Sequence, residues 1–143
     1  GDMSAVTVTE TTWEKDQVAI KSVRVPVFVE EQHVPYEIDF DDFDATAVHW
    51  LAYDANHNPI GTARMLIDAR FGRMAVLKPS RNQGVGRLIM LTAIDYATAL
   101  GMPAMFLHAQ LPAQVFYQSL GFESYGEVFR DAGMDHMAMR IDL

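Results

Sequence analysis

The chain has 143 residues, half of them hydrophobic and 21% charged, with a formal net charge of −8 and no cysteine. One domain with one core is expected at this size; the acidic balance argues against a nucleic-acid partner, which needs a basic footprint, and the missing cysteine excludes disulfides, thiolate metal sites and a cysteine nucleophile. No apolar run reaches the roughly 20 residues that span a bilayer, and no secretory signal opens the chain, so a cytoplasmic protein without a membrane partner is expected. With Gly1 and Asp2 set aside, residues 3–143 form the expected domain.

In chain order, Ser4 to Glu10 (SAVTVTE) alternates as a strand does. Thr11 and Glu14 have the spacing of a capping box that opens a helix. Val18, Ile20, Val23 and Val27 give that helix a loose apolar stripe, and Pro26 ends or kinks it. Phe28 to Ala47 is acidic and reads as a short helix or turn with a loop. Ala47 to Asp54 is a strand, Asp54 to Pro59 a turn, Ile60 to Asp68 its hairpin partner, and Ala69 to Leu77 a further strand. From Arg87 the period changes: Ile89, Ala93, Tyr96, Ala97 and Leu100 mark one face of a helix, stopped by Gly101 and Pro103. Ala104 to Ala109 is a buried strand. Pro112 begins a helix that Gly121 closes, and Phe122 to Phe129 with Met134 to Ile141 are two strands around a turn. The order β-α-α-β-β-β-α-β-α-β-β predicts a single-domain α/β fold, a mixed sheet with helices on both faces. Its strand–helix–strand part demands a parallel pair joined by a right-handed crossover.

The stretch RNQGVG, Arg81 to Gly86, lies between the apolar run Met74 to Leu77 and the long helix. Glycines there let the backbone approach an anion, the helix N-terminus offers unpaired N–H groups, and Arg81 and Arg87 add charge. The spacing fits neither the dinucleotide fingerprint nor the P-loop, and by itself is also that of a plain tight turn.

The context of this stretch resembles the GNAT superfamily of N-acetyltransferases. The family places a strand and a short link before Arg/Gln-x-x-Gly-x-Gly/Ala and a long helix; here these are Met74-Ala75-Val76, then Leu77 to Ser80, then Arg81-Asn82-Gln83-Gly84-Val85-Gly86. One helix and one strand later the family has an Asn and then Phe-Tyr-x-x-x-Gly-Phe. Here Gln110 stands in place of the Asn, followed by Phe116-Tyr117-Gln118-Ser119-Leu120-Gly121-Phe122. Val23 to Asp44, His49, Ala109-Gln110 and the AGMDHMAM segment further resemble the ElaA-like branch.

The resemblance implies an acetyl-CoA-dependent N-acetyltransferase acting on a small-molecule or peptidyl amine by direct attack. The strand Met74-Ala75-Val76 would then pair with the pantetheine arm through the backbone of Met74 and Val76. Amides from Gln83 through Arg87 would hold the pyrophosphate, with Arg81, Asn82 and Gln110 nearby, and the Val76 N–H would face the thioester carbonyl. Tyr117 occupies the family's position for the acid at the leaving thiolate. For the base, His108 is the leading candidate, beside His49, Glu30, Glu31 and Asp39. Metal is not expected, because His33, His49, His57, His108 and His136 show no ligand spacing. The acidic segment is either a seat for a cationic amine or a solvated surface; Arg24 or Arg64 would instead favour an anionic acceptor. The alternatives are a non-catalytic acyl-CoA sensor and an interaction domain without cofactor. The apolar tail strands are compatible with a homodimer.

Overall fold

The structure, a computed structural model, describes residues 5–143. Met3 and Ser4, where the domain and its first strand are expected to begin, lie outside them. Strands β1 (Thr7–Thr11), β2 (Val48–Tyr53), β3 (Pro59–Met65) and β4 (Phe71–Val76) form an antiparallel sheet in that order. Strands β5 (Ala104–Gln110), β6 (Glu123–Asp131) and β7 (Met134–Asp142) form a second antiparallel sheet in the order β5-β7-β6.

Two-residue periodicity sorts the first sheet's side chains. Trp50, Ala52, Ala63 and Met65 enter one core with Val85, Ile89, Ala93 and Ala97 of helix α3 (Val85–Ala99). Met105, Leu107, Ala109 and Met139 of the second sheet join the same core. The apolar stripe of α3 therefore packs over the seam of both sheets, although Leu100, its expected last member, is exposed. Helix α1 (Trp13–Arg24) covers the opposite face through Ile20 and Val23. Helices thus lie on both faces, and the molecule is a mixed α/β fold.

The crossover from β4 through α3 to β5 gives far less parallel pairing than the strand order demands. The pair is one bridge, Arg70 with Phe106, where the Phe106 N–H donates to Ala69 O at 3.0 Å. Beyond it the strands diverge, so the single expected sheet is two. A bulge in β4 accounts for the divergence. The register passes from Thr62↔Ala75 to Arg64↔Gly72, leaving Arg73 and Met74 opposite Ala63, and Arg73 has a φ of 51°. Such an extra residue bends a strand and increases its twist.

The start of α1 also differs from expectation. Thr12, not Thr11, is the N-cap, accepting from the Lys15 N–H at 3.2 Å, and Thr11 closes β1 while its hydroxyl donates to Asp16. At the other end α1 stops at Arg24, just before Pro26, as the proline predicts. The missing N–H of Pro26 breaks the ordinary ladder, and the chain continues as a wider π-helical segment, Val25–Glu31, with the Gln32 N–H bonded to Val27 O at 3.2 Å. This wider path delivers Gln32 to the gap between the sheets.

Candidate functional site

The divergence of β4 and β5 opens a cleft of about 1170 Å³. The exposed edge of β4 forms one wall. The Leu77 N–H donates to Ile60 O at 2.9 Å, and bonds to a neighbouring strand alternate along an antiparallel ladder. The backbone of Ala75 is therefore turned to β3, and that of Val76 is turned outward. Met74 and Val76 line the cleft. Ala75 does not: its side chain packs with Val23 and Val27 beneath the α1 face.

The N-terminus of α3 forms the next part of the lining, with Asn82, Gly84, Val85, Gly86 and Arg87. Gly84 is the N-cap at φ 81°, and Asn82 also lies in the left-handed region at φ 62°. The first helix N–H with a backbone acceptor is that of Leu88, bonded to Gly84 O at 3.0 Å, which leaves the preceding amides of the first turn free. Gln83 does not reach the lining; its side-chain amide donates to Pro79 O at 3.4 Å. Arg87 is exposed and has no ion pair among the described residues. Free amides, a partial positive charge and one unpaired guanidinium make an anion seat.

Arg81 has another task. Its Nε donates to Val76 O at 2.9 Å, and its two terminal nitrogens hold Glu31 at 2.9 and 2.7 Å. The hydrogen bond from Arg81 keeps the Glu31 carboxyl below its ordinary pKa. Arg81 thus clamps the π-helical segment to β4, and Glu31, a candidate base in the sequence, is committed to it.

The opposite wall comes from β5, β7 and α4 (Gln114–Ser119). His108 lines the cleft and is exposed, with its ring edge against Phe129 at 4.9 Å. Gln110 donates to Gln32 Oε1 at 3.3 Å across the cleft. Tyr117 lines the cleft between Phe116 and Phe122, with centroids at 5.1 and 5.9 Å, and burial pushes its phenol up to about 12. His136, which the sequence reading treated only as a non-ligand, also lines the cleft and is buried. The alternation of its strand places it on the face opposite Met139 and Ile141 and gave no sign of this role. Gln32 gave none either.

His49 lies outside the cleft, fully buried beside Trp13, with Nε2 bonded to Asp44 O at 2.9 Å and Nδ1 without a partner. A carbonyl only accepts, so Nε2 carries the hydrogen. Burial holds the imidazole below its ordinary value of 6.5. Below pH ~6.5 the unfolded chain takes a proton that the folded chain refuses, so stability falls as pH drops through that window. In urea titrations at pH 7.5 and 5.5, His49→Gln should show a smaller loss of stability on acidification than wild type. An equal loss in both would refute this assignment.

Part of the acidic segment is the solvated surface expected, with Glu30, Glu31, Glu37 and Asp42 exposed, and part of it is not. Short helix α2 (Tyr36–Asp39) and the turn after it place Asp39 and Asp44 inside the protein, with Asp41 part-buried. Arg24, itself 1% exposed, reaches Asp39 at 3.2 Å and Asp44 at 2.8 Å. Arg64 reaches Asp41 at 2.6 Å and Asp44 at 2.9 Å. Arg73, on the bulge, contacts Asp39 and Asp41, both at 3.3 Å. Desolvation raises the pKa of Asp39, whereas the bond from Arg64 lowers that of Asp41. Three arginines and three aspartates therefore form a clasp that ties the segment to α1, β3 and the bulge. Arg24 and Arg64 are spent within it and do not greet an anionic acceptor.

Among the described residues no cluster of metal-ligating side chains occurs, and no described helix is long and apolar enough to cross a membrane. An unpaired strand edge beside a free helix N-terminus fits an extended acyl carrier ending in phosphates. Known proteins resemble this chain in sequence and fold. The sequence profile of the Acetyltransferase (GNAT) domain matches residues 14–143. The chain is 36% identical over 124 residues to the N-acetyltransferase YjcF of Bacillus subtilis, covering 84% of this chain and 88% of that one. It is 33% identical over 129 residues to ElaA of Escherichia coli, covering 85% and 84%. The crystal structure of Escherichia coli ElaA superposes with a TM-score of 0.84 at 29% identity over 95% of this chain and 99% of that one. An acyl-CoA N-acyltransferase from Pseudomonas aeruginosa does so with the same TM-score at 26% identity, over the same shares. With a family profile that covers everything from the first turn of α1 to the C-terminus, the chain belongs to the GNAT acetyltransferase family.

Proposed function

We propose that this protein transfers an acetyl group from acetyl-CoA to a primary amine of a small molecule or peptide, by direct attack while both substrates are bound, in the cytoplasm. The observation that carries this reading is the outward backbone of Val76 beside the free amides at the N-terminus of α3. Acetyl-CoA supplies an activated thioester. Met74 and Val76 offer an edge for its extended arm to join as a strand, and the amides of Val85 to Arg87, with the Arg87 guanidinium and Asn82, receive its phosphates. The Val76 N–H donates to the oxygen that gains charge as the amine attacks. Tyr117, protonated throughout the physiological range, donates from its hydroxyl toward the leaving sulfur. His108 and His136 are the imidazoles on the acceptor side.

Isothermal titration with acetyl-CoA, followed by thiol release with a panel of primary amines, tests the proposal. Binding followed by amine-dependent thiol release is expected. Binding without release would leave a sensor, and no heat at millimolar ligand would leave an interaction domain.

Gly86 provides a local check. Its φ is helical, and the left-handed glycine of the stretch is Gly84. A Cβ on Gly86 would meet Met74 Cε at 3.7 Å, Met74 Sδ at 3.8 Å and Phe116 Cζ at 3.9 Å, all ordinary contacts. Gly86→Val should therefore fold, while its branches intrude on the anion seat. The acetyl-CoA dissociation constant should rise at least tenfold, about 1.4 kcal/mol, at an unchanged melting temperature. Wild-type affinity would make the stretch a turn and nothing more.

A further inference from the structure

We propose that His136 is the general base that takes the proton from the acceptor ammonium, a role that rests on the transferase reading above. The register of the second sheet pairs His136 with Gln110 and with Phe129, and His108 with Ala138. Directly paired residues share a face, and alternation places His108 and Gln110 together. His108, Gln110, Phe129 and His136 therefore occupy one face, opposite the side where Leu107, Ala109 and Met139 meet α3. From that face Gln110 reaches across to Gln32, so the ring of His136 stands where the two walls approach one another.

The tautomer of His136 is fixed by its own strand. Its Nδ1 lies 2.9 Å from Met134 O. A carbonyl only accepts, so Nδ1 carries the hydrogen and Nε2 keeps a lone pair. Among the described residues no hydrogen-bond partner meets Nε2. The buried side-chain nitrogen or oxygen wholly without a partner or solvent among the described residues is His49 Nδ1, so Nε2 of His136 touches open space, and the space it lines is the cleft. Phe129 stacks on the ring at 5.8 Å and 23°, which holds its orientation. An oriented imidazole with one nitrogen facing the cleft is what a base requires. His108 has no such fixation: it is exposed, and among the described residues neither ring nitrogen has a hydrogen-bond partner. The carboxylates Asp39 and Asp68 on the lining are held by arginines. Other titratable groups on the cleft lining include Tyr117, Tyr125, Arg70, Arg87 and exposed Asp131 at the end of β6, and the Arg130–Asp135 pair at 3.2 Å lies beside His136 on β6 and β7.

The protons balance. An ammonium proton passes to Nε2, and the freed lone pair bonds to the thioester carbon. The carbon–sulfur bond breaks with its electrons on sulfur, beside the Tyr117 hydroxyl. The second proton shed by nitrogen as the amide forms converts the thiolate to thiol, and the imidazolium returns its proton to water.

His136→Asn tests this, because asparagine keeps an N–H for Met134 O and removes Nε2. With a primary alkylamine at pH 7, kcat should fall about a hundredfold, and the acidic limb of the kcat/KM profile should disappear. With an aromatic amine, already neutral at that pH, the variant should lie within about twofold of wild type. Acetyl-CoA affinity and melting temperature should be unchanged. An equal loss with both amines, a kcat with the alkylamine within twofold of wild type, or an acidic limb lost in His108→Asn but kept in His136→Asn would overturn the proposal. Failure of the wild type to bind acetyl-CoA would instead sink the transferase reading beneath it, and the two failures are distinguished by that titration alone.

Discussion

Replacing Arg24 by methionine should lower folding stability by about 3–5 kcal/mol, the usual consequence of removing one partner from a buried ion pair. Methionine is similar in length and helix propensity, so the loss reflects charge and hydrogen bonding. Arg24 donates to the Asp39 carboxylate and to Asp39 O at 2.6 Å, and to both oxygens of Asp44. Its guanidinium also lies 4.5 Å from the ring of Phe40. After its removal Asp39 keeps Arg73 and Asp44 keeps Arg64, which places the expected value in the lower half of the range. Chemical denaturation gives the measurement. Adding Asp39→Asn to Arg24→Met should recover part of the loss, because the excess negative charge is then gone. A single variant within 1 kcal/mol of wild type would show that the clasp contributes orientation and not stability.

Tyr117→Phe should lower kcat about ten- to a hundredfold at saturating substrates, with acetyl-CoA affinity nearly unchanged. The ring contacts with Phe116 and Phe122 survive the change, so only the hydroxyl is removed. Burial supplies the reason for a modest figure. A phenol pushed up to about 12 is a much weaker acid than a thiol near 8.5. Its hydroxyl therefore stabilises negative charge on the departing sulfur by hydrogen bonding and falls short of the 10²–10⁴ typical of a matched general acid. The same shift removes any alkaline limb due to Tyr117 below pH ~11. A kcat within twofold of wild type would take Tyr117 out of the mechanism, and weaker acetyl-CoA binding at normal kcat would make it a binding contact.

Much of the architecture was legible because it depends on local periodicity. The stripe Ile89, Ala93, Ala97 located α3, Gly101 at φ 76° stopped it, and alternation in Met137 to Ile141 located β7. What was not legible depends on distant partners. Arg81 carries the motif position expected to meet phosphate, yet its partner Glu31 lies 50 positions away. The burial of Asp39 and Asp44, and in part of Asp41, within an otherwise solvated acidic run was hidden because its arginines sit 15 to 35 positions off. Gln110 and Gln32 are separated by 78 positions. The splitting of the sheet hinges on Arg73 at φ 51°, a conformation for which a non-glycine residue gives no local warning. The clasp supplies the missing explanation, since Asp39, Asp41 and Ile38 O all hold that arginine.

The wedge between β4 and β5 has a further consequence, for solubility. An unpaired strand edge is a template on which foreign strands add, and proteins commonly blunt such edges with charge or proline. Here two raw edges face inward toward one another, joined at Arg70 and Phe106 and bridged at the far end by Gln32 and Gln110. A slender chain can thread between them, whereas a second folded protein finds no straight edge to join within this wedge. The geometry that keeps amides available for a ligand thus also protects the molecule from association through those same amides.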